Sequence, residues 1–141
     1  MRDLLDELAG IEPGSRLDGL RALRPDVRAA VAGSEAAIFE GESGLTTEER
    51  HAVAQAVAEW NGEAALAAHH AARAGASPRL PAMLAHAEML TKRPDQATPA
   101  AVQALAEAGL APRDVVMLSQ LVAHMNFMAR MLATFRLLER A

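Results

Sequence analysis

The run LTTEERHAVAQAVAEWNGEAALAAHHAARAG, residues 45–75, carries the clearest structural message in the chain. Thr46-Thr47-Glu48-Glu49 has the form of a capping box, in which the Thr46 side chain caps a first helical turn and Glu49 reaches back to the cap. A helix is expected from there to about Trp60. Asn61-Gly62 interrupts it, and the Ala-rich segment Glu63 to Ala74 resumes helix until Gly75. The two pieces form a helical hairpin or a bent helix.

On the N-terminal side, Gly41-Glu42-Ser43-Gly44 reads as a turn. Before it, Pro25 in a first helical turn is followed by Val27, Val31, Ile38 and Phe39, which predicts a substantial helix ending near Gly41. Leu4, Leu5 and Leu8 stand at helical spacing ahead of Gly10 and Pro13-Gly14, so the chain should open with a short helix on a tether, free to dock late or on a neighbour. On the C-terminal side, Ser77-Pro78 and Thr98-Pro99 each place a capping side chain before a proline and mark two helix starts, with ends at Pro94 and Gly109. From Pro112 to about Glu139 the helical pattern carries apolar residues on more than one face, which asks for a central position or a partner surface. The fold class is all-α, with about six helices around a central antiparallel pair.

The 141 residues suit one domain, residues 1–141, with 1–14 as short helix and tether and 25–141 as the core. Composition agrees: 51% of residues are hydrophobic but only 3% aromatic, a balance that favours helices packed through small side chains over strands. A formal net charge of −4, with no basic stripe, argues against nucleic acid as a partner. The absence of cysteine removes disulfides, thiolate nucleophiles and zinc–thiolate sites, and fits a reducing compartment, so a cytoplasmic location is expected. The acidic start Met1-Arg2-Asp3-Leu4-Leu5-Asp6 does not read as a secretion signal. The charge-free run Val115 to Ala129 contains Ser119, Gln120, His124 and Asn126 and is too short to span a bilayer, so no membrane segment is expected.

Residues 45–75 resemble the core of the carboxymuconolactone decarboxylase and alkylhydroperoxidase D-like superfamily, in which an Asn-Gly step precedes a Cys-x-x-Cys pair and a His four residues later. The downstream rhythm Ala108-Gly109-Leu110, Asp114-Val115-Val116 and Asn126-Phe127-Met128-Ala129-Arg130 is similar to the family's second half. The likeness covers the last two thirds of the chain and implies the alkylhydroperoxidase D-like fold and a homo-oligomer, dimer-based and as large as a hexamer. Aligned on Asn61-Gly62, Glu63 and Leu66 stand at the two cysteine positions, His70 at the family histidine and His51 at the family glutamate. Aligned on Ala67-Ala68-His69, the same positions fall on Gly62, Ala65, His69 and Arg50. Neither register restores a thiol. Peroxide reduction by the family's route needs one thiolate to attack and a second to resolve the sulfenic acid, so this chain cannot perform it.

The first register leaves His51, Glu63 and His70 as candidate catalytic residues, with His69 replacing His70 in the second. Glu63 and His70 are two helical turns apart on one face, and His51 lies on the preceding helix. Two imidazoles and a carboxylate suit a proton relay, and the same three also form a two-His, one-carboxylate set for a divalent metal, although neither a metal nor another cofactor is the expected state. Neighbouring His69 and His70 point about 100° apart, so only one of them should face a given site. The bland alternative makes His51 and Glu63 solvated and His70 a hydrogen-bonded pocket residue. His86 and His124 read as satisfied core or interface residues, Met117, Met125, Met128 and Met131 as core or interface filler, Trp60 as packing at a helix end, and the i,i+4 pair Asn126 and Arg130 as a structural hydrogen bond or a subunit-bridging ion pair. Three functions follow: a divergent relative that binds or transforms a small organic molecule in a residual pocket; a decarboxylase-like lyase with His70 or His51 as general acid/base; or a non-catalytic subunit partnering a cysteine-containing relative.

Overall fold

The computed structural model describes residues 2–141, and Met1 lies outside the described residues. Those residues are all helical, in eight α-helices: α1 Leu4–Leu8, α2 Arg16–Ala22, α3 Pro25–Phe39, α4 Thr47–Trp60, α5 Ala64–Ala71, α6 Leu80–Lys92, α7 Pro99–Glu107 and α8 Pro112–Arg140. A single 3-10 turn, Pro94–Gln96, follows α6. The count is eight rather than six, chiefly because α2 was not foreseen. Its seven residues include Gly19 and three charged side chains, a sequence too short and too polar to hold a helix alone.

Tertiary ion pairs supply what α2 lacks. Arg21 binds Asp3 at 2.8 Å and Asp6 at 2.5 Å, while Arg28 of α3 reaches Asp6 at 3.1 Å and Asp18 at 2.8 Å. Asp3 and Asp6 also form a reciprocal capping box at the start of α1. Together with buried Leu5 and Ile11, this network docks the N-terminal segment on its own chain, where the sequence had left it on a free tether.

The capping box of α4 is formed as expected: Thr46 Oγ1 accepts from the Glu49 N–H at 3.1 Å, and Glu49 Oε2 accepts from the Thr46 N–H at 2.9 Å. Glu49 is also gripped by Arg79 through two bonds of 2.8 Å. Arg79 becomes the boundary residue of α6, which begins at Leu80 with no side-chain cap, two residues later than Ser77-Pro78 had indicated. Thr98 does cap α7, accepting from the Ala101 N–H at 3.3 Å.

One cluster of buried side chains draws on all eight helices, with α4 and α8 at its centre. Leu118, Leu121, Met125, Met128 and Leu132 of α8 are fully buried, each worth roughly 1.5–3 kcal/mol when removed from water. By length and composition alone α8 could cross a membrane, which the charge-free run had not indicated. Packing against α4, α6, α3 and α1 buries part of its apolar surface, while Val116, Phe127, Leu137 and Leu138 stay exposed. Asn126 ties the helix to its neighbours: its side chain accepts from Asn61 at 3.0 Å and donates to Thr91 at 3.1 Å, a structural role as expected. Trp60 packs at the end of α4 with the Lys92 ammonium 5.3 Å from its ring centroid.

Candidate functional site

The α4–α5 hairpin builds the site. Gly62, at φ 71°, takes the left-handed conformation that reverses the chain, and the Gly75 N–H donates to the Glu48 carbonyl at 3.2 Å where the start of α4 meets the end of α5. His51, ten residues before Asn61, and His70, eight after Gly62, meet across this hairpin, their Nδ1 atoms 2.9 Å apart.

Phe39, the last residue of α3, stacks on both imidazoles, with centroids 4.9 Å from His51 and 4.7 Å from His70. Burial pushes the His51 imidazole below its ordinary range and holds His70 at about 3, with the charges of His69, His51, His124 and Arg73 acting in the same direction on His70. Both rings are therefore neutral near pH 7. In a neutral pair one ring donates its Nδ1 proton and the other, accepting, must carry its proton on Nε2. Neither Nε2 has a hydrogen-bond partner, so whichever way the proton sits, the pair keeps one buried donor and one buried acceptor unsatisfied.

Glu63 does not join them. Seven residues along one helix is a rise of about 10 Å, and the Glu63 carboxylate, at the start of α5, instead pairs with Arg136 of α8. The trio His51, Glu63 and His70 thus does not form a common ligand set. The carboxylate that reaches the histidines is Glu35 of α3, one turn before Phe39 and on the same helix face. Its Oε2 lies 2.5 Å from His124 Nε2.

Sequence reasoning had passed over Glu35 and set His124 aside. The available signal was the i,i+4 pair Glu35 and Phe39 within a stretch of small residues. His69 and His70 also depart from expectation. Although their Cα–Cβ directions diverge, the rings meet edge to face with centroids 4.9 Å apart, because an imidazole extends far enough beyond its Cβ to converge with its neighbour.

Arg50, the glutamate position of the second register, serves the backbone: its guanidinium donates to the carbonyls of Leu45, Ile38 and Gly41 at 3.1, 3.2 and 2.8 Å. The first register is the one whose residues face each other. Leu66, at its second cysteine position, is fully buried core. His86 is buried, with Nε2 3.4 Å from Ser119 Oγ and Nδ1 unpartnered.

Beside this cluster lies a groove of about 670 Å³ between α3 and α8, lined by Val27, Val31, Ile38, Ala123 and Phe127, with His124 among its polar residues. The helical arrangement as a whole matches the crystal structure of an alkylhydroperoxidase AhpD core, an uncharacterized peroxidase-related protein from Ralstonia eutropha JMP134. The TM-score is 0.63 at 23% identity, over 97% of this chain and 86% of that one. This chain has the alkylhydroperoxidase D-like fold. No protein-family model and no curated protein sequence matches it. Within the alkylhydroperoxidase D-like fold, the α4–α5 hairpin here carries a histidine pair and no cysteine.

Proposed function

We propose that this chain is a divergent alkylhydroperoxidase D-like protein, without thiol peroxidase chemistry, that binds a small, largely apolar organic molecule in the groove between α3 and α8. The observation that carries the reading is the groove itself: a mainly apolar wall with a few polar groups among its lining is the usual build of a small-molecule site. His124 supplies one of those groups and is oriented by its bond to Glu35. That bond also favours a second reading, a lyase of the decarboxylase kind in which His124, steadied by a carboxylate, moves a proton on the bound molecule.

Self-association belongs to the same proposal. Leu20 of α2, Leu23 just beyond its end, and Leu137 and Leu138 of α8 are exposed, Leu23 at 73%, and they suit burial against a second copy. A cysteine-free helical protein of this kind fits the cytoplasm.

The test is a thermal-shift and calorimetric screen of small aromatic and aliphatic acids and lactones, run on the wild type and on Ala123→Trp. Ala123 lines the groove and is exposed, so the indole fills the groove without entering the core. A ligand that stabilises the wild type and not the variant supports the reading. Equal binding to both, or no binding across the panel, removes it.

A further inference from the structure

Glu35, His69 and His70 form a cluster that ligand binding in the groove does not require. One carboxylate oxygen of Glu35 and one ring nitrogen of each histidine lie within 4.8 Å of one another. Donors around a tetrahedral zinc ion, at about 2.0–2.2 Å from the metal, stand roughly 3.4 Å apart. The difference is of the size that small side-chain rotations close, and His69, which is exposed, is the residue free to make them.

The third residue supplies an independent observation. His70 is fully buried, its Nδ1 is held by His51, and its Nε2 has no partner. If the shared proton sits on His70 Nδ1 and is donated to His51 Nδ1, His70 Nε2 presents a lone pair, the form in which a neutral imidazole ligates a metal. Glu35 is similarly held, by His124. Each of these two donors therefore has a second residue fixing its orientation, the arrangement found around metal-binding histidines and carboxylates.

We propose that Glu35, His69 and His70 bind one divalent first-row transition ion of the zinc class, with His51 and His124 positioning His70 and Glu35. The donor set is two imidazoles and one carboxylate, which suits such ions better than magnesium or calcium. Three protein donors leave coordination positions for water or for an oxygen of a bound molecule. The two readings share His124, which lines the groove and positions Glu35, but no groove residue is a ligand.

Isothermal titration of zinc into the chelator-stripped full chain tests it, on the wild type, Glu35→Gln, His69→Ala and Ala123→Trp, with helicity checked by circular dichroism. The expected result is one ion per chain, affinity lowered about tenfold or more by Glu35→Gln and by His69→Ala, and affinity unchanged by Ala123→Trp. Cobalt(II) in place of zinc should give visible absorption in the wild type that each ligand variant alters. No saturable zinc binding by the wild type, or an affinity unaffected by either ligand variant, overturns the proposal. In particular, zinc held by His69→Ala as tightly as by wild type would place the ion elsewhere, and zinc retained in Glu35→Gln would reduce the cluster to a surface histidine.

Discussion

Acidification from about pH 7 to about pH 5, with chelator present to keep metal off the protein, is expected to remove about 2 kcal/mol of folding stability through His70 alone. The folded chain holds His70 at about 3, against an ordinary histidine value of 6.5. Between those limits the unfolded chain carries a proton that the folded chain does not. Stability is therefore complete above the ordinary value and falls with pH, by about 1.4 kcal/mol per unit. Over the one and a half units between 6.5 and about 5 this gives the stated loss. The groups around the imidazole are His51 of α4, His69 and Arg73 on its own segment, His124 of α8 and Glu35 of α3. His51 and His86 are depressed by burial as well and act with the same sign. Asp6 and Glu49 are held below the usual carboxylate range, stay ionised across this window and add no slope. The assay is urea unfolding followed by far-ultraviolet circular dichroism at several pH values, on the wild type and on His70→Gln, which keeps a polar group beside His51 but cannot titrate. The variant should lose about one proton's share of the slope. A wild-type stability that stays level across the window, or an equal slope in the variant, would refute the reasoning.

Glu49→Gln keeps a side chain able to accept from the Thr46 N–H but loses the ion pair with Arg79, which holds the Glu49 carboxyl at about 2 in place of 4.5. Unfolding by urea near pH 7 should show a deficit of about 2–3 kcal/mol. Because the carboxyl is depressed, that contribution is full above 4.5 and fades as pH falls toward 2, so the deficit should narrow in acid. Gly62→Ala meets no neighbouring atom, so its cost comes only from a side chain at φ 71°, about 1 kcal/mol by thermal or urea unfolding, with helicity unchanged.

The local rules of helix initiation were legible in the chain. Thr46 with Glu49, Thr98 with Pro99, Asn61-Gly62 and Pro112 act on their own neighbours, and each does in the fold what its sequence context indicates. That His51 and His70 sit on the two arms of one hairpin followed from the same information, but they lie unequally far from the Asn61-Gly62 reversal, and the packing of α5 on α4 is what brings their rings together. Where the reading failed, the deciding partner lay far along the chain. Ser77-Pro78 did not start α6 because Arg79 is fastened to Glu49, and α2 exists because Arg21 and Arg28 reach Asp3, Asp6 and Asp18.

The amino-acid sequence by itself determined that this protein is helical, where most of its helices begin, that His51 and His70 fall on the two arms of one hairpin, and that thiol chemistry is closed to it. Tertiary structure alone decided which carboxylate those histidines meet. Glu63, close in sequence, sits at the start of α5, two turns before His70, and is neutralised by Arg136, while Glu35, distant in sequence, arrives on α3 with Phe39 and is steadied by His124. Periodicity reports which face of a helix a residue occupies, but the neighbour on that face is set by how separate helices pack around the core, and only the folded chain contains that information.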